Sequence, residues 1–128
     1  MAWDSLGFAL GEAGRAGEAV GAHIRARDLF QGVGNRRGEA AAWNNLGAAL
    51  GDTGRVEEAV EAYEKALEGY REFEDWYGAG QTLSNLAFGH RYAARPAEAR
   101  TNYLQSADAF TRANAPTEAR TRAEAITP

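Results

Sequence analysis

The 128-residue chain contains no cysteine. Disulfide staples, thiolate metal sites and cysteine nucleophiles are thereby excluded. Histidine is nearly as scarce. His23 and His90 are the only two, and neither has a second histidine at ligand spacing, so no metal site is expected. Prolines number three and valine and isoleucine are few, which removes the main obstacles to helix. No stretch approaches the roughly 20 apolar residues that a membrane-spanning helix needs. The opening MAWDSLGFAL has no basic region followed by the long apolar run of a signal peptide. Cytoplasm is the expected location, with no membrane contact.

Positive charge is also in short supply: 14 lysines and arginines face 18 acids, for a net charge of −4. Arg36-Arg37 and the arginines from Arg91 to Arg95 are too sparse to make a stripe that grips phosphates, so direct nucleic-acid binding is not expected. GEAGRAG and GVGNRRG are glycine-rich but follow no strand and lack the Lys-Ser/Thr of a phosphate loop. They read as hairpin turns, and Glu72, Glu74 and Asp75 read as a solvated acidic turn. No nucleophile, base and orienting group can be grouped from the sequence, so neither an enzyme nor a cofactor is expected.

Hydrophobic residues make up 45% of the chain and charged residues 25%, ordinary values for one globular domain over 1–128. Within it a pattern recurs every forty positions. Trp3, Leu6, Gly7 and Leu10 are matched by Trp43, Leu46, Gly47 and Leu50, and then by Leu83, Leu86, Ala87 and His90. Gly14-Arg15, Gly54-Arg55 and Ala94-Arg95 follow in phase, as do Glu18-Ala19, Glu58-Ala59 and Glu98-Ala99. Trp43, Leu46, Gly47 and Leu50 lie on one helical face, and Val56, Ala59, Val60, Tyr63, Ala66, Leu67 and Tyr70 form a second, wider stripe.

Each unit therefore reads as two helices around a breaker such as Asp52-Thr53-Gly54, with the glycine at the left-handed C-terminal position. The spacing predicts helices over 1–13, 16–31, 37–52, 56–73, 77–93, 96–113 and 116–126. Short connectors place consecutive helices antiparallel. Gly7 and Gly47 sit mid-helix at a cost of about 1 kcal/mol each. Close approach of the paired helix at Ala19 or Ala59 is the expected reason. Pro96 falls in a first turn, where proline is tolerated, and Ala94 makes a less comfortable turn than glycine. The expected core is Trp3, Leu6, Leu10, Trp43, Leu46, Leu50, Val60, Tyr63, Leu67, Leu83, Leu86 and Tyr103. Both histidines are expected to pack against a neighbouring helix.

These residues resemble the tetratricopeptide repeat pattern, W-x2-L-G-x2-Y followed by small residues and an aromatic. The second copy matches at Trp43, Leu46, Gly47, Leu50, Ala59, Tyr63 and Ala66. The first has His23 in place of the aromatic, and the third departs at Ala87, His90 and Ser106. The resemblance implies an all-α, right-handed superhelical solenoid. Its repeats are expected at 1–34, 35–74 and 75–114, with a capping helix at 115–128. The first copy lacks the leading turn of the later ones, so the chain is expected to start inside a repeat, either cut from a longer array or with a short first helix. The forty-residue period resembles the longer-helix subclass of kinesin light chains, spindle-orientation adaptors and bacterial regulators. GNRRGEAAAWNNLGAALGDTGR is similar to arrays in actinobacterial signal-transduction ATPases and transcriptional regulators.

The resemblance further implies a protein-interaction scaffold whose first helices line a concave groove for a peptide or helix. The matching positions are Asp4, Ser5, Phe8 and Glu12 in the first copy, and Ala41, Asn44, Asn45, Ala48 and Asp52 in the second. In the third they are Gln81, Ser84, Asn85, Phe88 and Tyr92. Asn45 and Asn85 match a position whose amide holds a peptide backbone, for which a side chain that both donates and accepts is suited. Phe8, Phe88 and Tyr92 are candidates for aromatic anchors or for core. The cations with which chaperone-binding relatives hold a terminal carboxylate are missing at Asp4, Phe8 and Gln81. The alternative function is self-assembly into a homo-oligomer through solenoid ends, with Trp3, Leu6 and Leu10 partly uncovered.

Overall fold

A computed structural model describes residues 2–126. Residue 1, at the start of the expected first helix, and residues 127 and 128 of the expected cap lie outside the described residues. Among the described residues there are seven α-helices and no strand. They are α1 (Ala2–Glu12), α2 (Ala16–Gly32), α3 (Arg36–Asp52), α4 (Val56–Glu72), α5 (Trp76–Tyr92), α6 (Pro96–Arg112) and α7 (Pro116–Glu124). The contacts gather into two compact units, Met1–Gly69 and Tyr70–Pro128.

The connectors are one motif used throughout. The left-handed residues are Gly14, Gly34, Gly54, Glu74, Ala94 and Asn114, spaced every twenty positions. After each, the next N–H bonds back to a carbonyl in the last turn: Arg15 to Leu10, Asn35 to Phe30, Arg55 to Leu50, Asp75 to Tyr70, Arg95 to His90 and Ala115 to Phe110, at 2.7–3.0 Å. This is the Schellman closure, which satisfies carbonyls the helix end leaves orphaned.

Helix starts are less uniform. The side chains of Asn35 and Asp75 accept from the N–H of Gly38 and Gly78, the usual N-cap bond. Arg15 makes no cap bond and pairs with Glu18 across the first turn instead. Arg55 and Glu58 repeat that pair, and the guanidinium holds the Glu58 carboxyl below the usual range. Pro96 and Pro116 open α6 and α7, where the missing N–H costs nothing.

Ala94 takes the left-handed conformation at φ 60° without glycine's freedom. Ala94→Gly is expected to raise stability by about 1 kcal/mol, read as a higher urea midpoint at unchanged slope. An unmoved midpoint would show that the turn carries no strain.

Alanine dominates the core. In the first unit Ala19, Ala22, Ala26, Ala40, Ala42, Ala49, Ala59, Ala62 and Ala66 are buried around Leu46, Leu50, Val60, Tyr63 and Leu67. In the second, Ala79, Ala87, Ala99 and Ala109 surround Leu83, Leu86, Tyr103 and Phe110. Small residues let helix axes approach, and the large side chains fill the remaining space.

The mid-helix glycines serve a different purpose from the one expected. A Cβ on Gly7 would lie 2.5 Å from the His23 imidazole, and one on Gly47 would lie 2.6 Å from the Tyr63 ring. The close partner is thus the ring sixteen residues on, not Ala19 or Ala59. Gly38 and Gly78 seat Phe30 and Tyr70 in the same way.

Leu6 departs from the expected core. It is 44% exposed, whereas Leu46 and Leu86 at the same repeat position are buried at 3% and 4%. Leu46 lies on α3, which packs against both α1 and α2. Trp3, Leu10 and Trp43 are half-buried. Phe110, Thr82 and Ser106 are fully enclosed instead, with the Ser106 hydroxyl donating to the Gly80 carbonyl at 2.7 Å.

Candidate interaction faces

Repeat register puts the candidate residues on the outward faces of first helices. On α5, Gln81, Asn85, Phe88 and Tyr92 fall at i, i+4, i+7 and i+11, a single helical face. Gln81 is exposed and Asn85 half-buried, while Phe88 and Tyr92 are 64% and 73% exposed. Neither aromatic belongs to the core. Large rings left in water at helical spacing are a feature of binding surfaces.

In the first unit the corresponding face of α3 is smoother. Asn44 and Asn45 are half-buried, Ala48 and Asp52 exposed. On α1, Phe8 is 56% exposed, and its ring meets the His23 imidazole edge-on at 5.4 Å. Ser5 and Glu12 are exposed, and the side chain of Asp4 lies outside the described residues. The structure thus sets Asn45 beside Ala48 and Asp52 on one helix, and Asn85 beside Phe88 and Tyr92 on another.

Electrostatics on these faces are weak. Burial, and then the nearby Asp52 charge, push the Tyr63 phenol above its ordinary range, so it stays neutral at physiological pH. Among the described residues no group of His, Asp and Glu is placed to hold a metal ion. His23 is buried at 3% as the ring seated on Gly7. His90 is half-buried, and its Nδ1 has no hydrogen-bond partner among the described residues. No described helix is long and apolar enough to cross a membrane.

One feature of the second unit escaped the sequence pattern. A cavity of about 470 Å³ opens between Trp76, Ala79 and Leu83 of α5 and Leu104, Asp108, Ala109 and Arg112 of α6, with Arg71 at its edge. The signal for it was present as a change in residue type between copies at fixed register, which a search for similarity passes over.

No curated protein matches the chain at a significant level. The tetratricopeptide repeat family model matches residues 1–72 and again 38–112, the span that holds the helical hairpins, the glycine-seated rings and five of the six shared turns. The chain belongs to the tetratricopeptide repeat family.

Proposed function

We propose that this chain holds a peptide or helix of another protein on its first-helix faces. Tetratricopeptide repeats generally mediate protein–protein interaction. The observation that carries the finer reading is the α5 face, where Phe88 and Tyr92 stand 64% and 73% exposed in line with Asn85 and Gln81. The rings supply apolar area at low entropic cost, and the asparagine amide donates to and accepts from a partner backbone. Asn44, Asn45, Asp52 and Phe8 give the first unit a more polar version of the same face. The same reading adds a role as the sensor arm of a larger bacterial protein, without catalysis of its own, and this part rests on the resemblance of GNRRGEAAAWNNLGAALGDTGR to such arrays.

The test starts from a peptide selected against the chain by display and mapped by NMR shifts to the α5 face. Asn85→Ala should weaken it about fivefold, the loss of one net hydrogen bond. Unchanged affinity removes the assignment. Self-assembly is the second reading, favoured by the 44% exposure of Leu6. It predicts shifts at Leu6 that follow the chain's own concentration with no peptide present.

A further inference from the structure

The repeats provide an internal control for the cavity on α5 and α6. Moving its lining back forty positions gives Gln31, Arg36, Glu39, Trp43, Glu64, Lys65, Glu68, Gly69 and Glu72, and six of these, with Ala40, line a smaller cavity of about 180 Å³ in the first unit. That site carries two cations and two carboxylates. In the second unit Arg36 becomes Trp76, Glu39 becomes Ala79, Glu64 becomes Leu104 and Glu72 becomes Arg112. Gln31 becomes Arg71. Three charged positions have turned apolar, a neutral and an acidic one have turned basic, and Lys65 has become Gln105.

The fold does not require these changes, since the earlier copy forms the same helices with the charged set. They also leave Leu104 47% exposed at a position where glutamate serves the other copy. Arg112 lies over the Trp76 ring at 4.9 Å and pairs with Asp108 at 3.2 Å. The cavity thus has an aromatic and aliphatic floor and a rim of two arginines and one aspartate, on a chain whose net charge is −4. Its volume falls within the range of small ligand sites, about 300–1,000 Å³, and is ample for one large side chain.

From this juxtaposition we infer that the cavity is a second docking site, for an acidic peptide segment of a partner protein that inserts one large apolar side chain. The anchor seats against Trp76, Leu83 and Leu104. Flanking carboxylates meet Arg71 and Arg112, where Asp108 already shows that a carboxylate is accommodated. A cationic segment is disfavoured by the same rim. The site shares no residue with the α5 face that carries Asn85, Phe88 and Tyr92, so the two readings can fail separately.

Three synthetic peptides test it: a phenylalanine flanked on each side by two glutamates, a twin with lysines for the glutamates, and a twin with alanine for the phenylalanine. Shifts of the Trp76 indole N–H and the Leu104 methyls report binding. The acidic phenylalanine peptide should give saturable shifts, weakened by added salt, and both twins should bind at least about tenfold more weakly. Leu104→Glu with Arg112→Glu installs the residue types of the earlier copy and should remove binding while leaving the rest of the spectrum unchanged.

Equal binding of the lysine twin would overturn the proposal, as would unchanged binding to the double variant or no shift at millimolar peptide. Shifts confined to Phe88 and Tyr92 would also overturn it. Trp76 shifts that appear on concentrating the chain alone would assign the site to a second copy and refute the peptide reading.

Discussion

Phe110→Ala is expected to destabilise the chain by about 3–5 kcal/mol, the range for deleting a buried aromatic side chain. Phe110 is 1% exposed. Its ring meets Tyr77 of α5 edge-on at 5.2 Å, and it lies so close to Gly80 that a Cβ there would be 2.9 Å away. The Arg122 guanidinium of α7 sits 5.6 Å from its centroid. One side chain thus ties three helices together, and the hole left by alanine cannot close without moving all three. Urea denaturation should show the loss. Hydrogen exchange should place it in α5, α6 and α7. A cost under about 1 kcal/mol would mean that the ring is not the keystone its burial indicates.

Gly47→Ala should cost about 1–3 kcal/mol although alanine is the better helix former. The propensity gain is about 1 kcal/mol. Against it stands a methyl group 2.6 Å from the Tyr63 ring, a distance that forces the phenol or the helix to move in a packed interior. Tyr63 is 6% exposed and has little room to tilt. The double-mutant cycle decides the cause: in a Tyr63→Leu background the same Gly47→Ala change should become neutral or stabilising. If the penalty persists without the ring, the seat is not the reason for the glycine.

The helices were legible because their signals are local and repeated. A shift of forty residues brings Trp3 onto Trp43 and Gly14 onto Gly54. The observed helices start and stop within about two residues of the expected ones. What packed against what was harder to read. Gly7 and Gly47 announced a close approach, yet the ring that makes it lies a full hairpin away and competes with a nearer alanine for the same explanation. Phe110 is absent from the expected core, and its register partners Phe30 and Tyr70 are only half-buried. It is enclosed because Tyr77 and Arg122 close over it. Leu6 misled in the opposite sense, since burial of that position depends on a neighbouring helix and not on the residue. Register alone sets Asn45 and Asn85 on first helices, where both are half-buried. The cavity at Trp76 could not be placed that way, because it consists of departures from the pattern.

The six left-handed turns recur at twenty-residue intervals, although glycine occupies only Gly14, Gly34 and Gly54. Such a metre constrains how the chain can change its length. Adding or deleting a few residues inside a helix would rotate everything downstream by about 100° per residue and bring the wrong stripe inward. Whole couplets of forty can be copied or lost without disturbing the phase, and each duplicate inherits a sound frame with its outward positions free to diverge. The sites around Trp43 and Trp76 show how far the outward positions of two copies can differ on one shared frame.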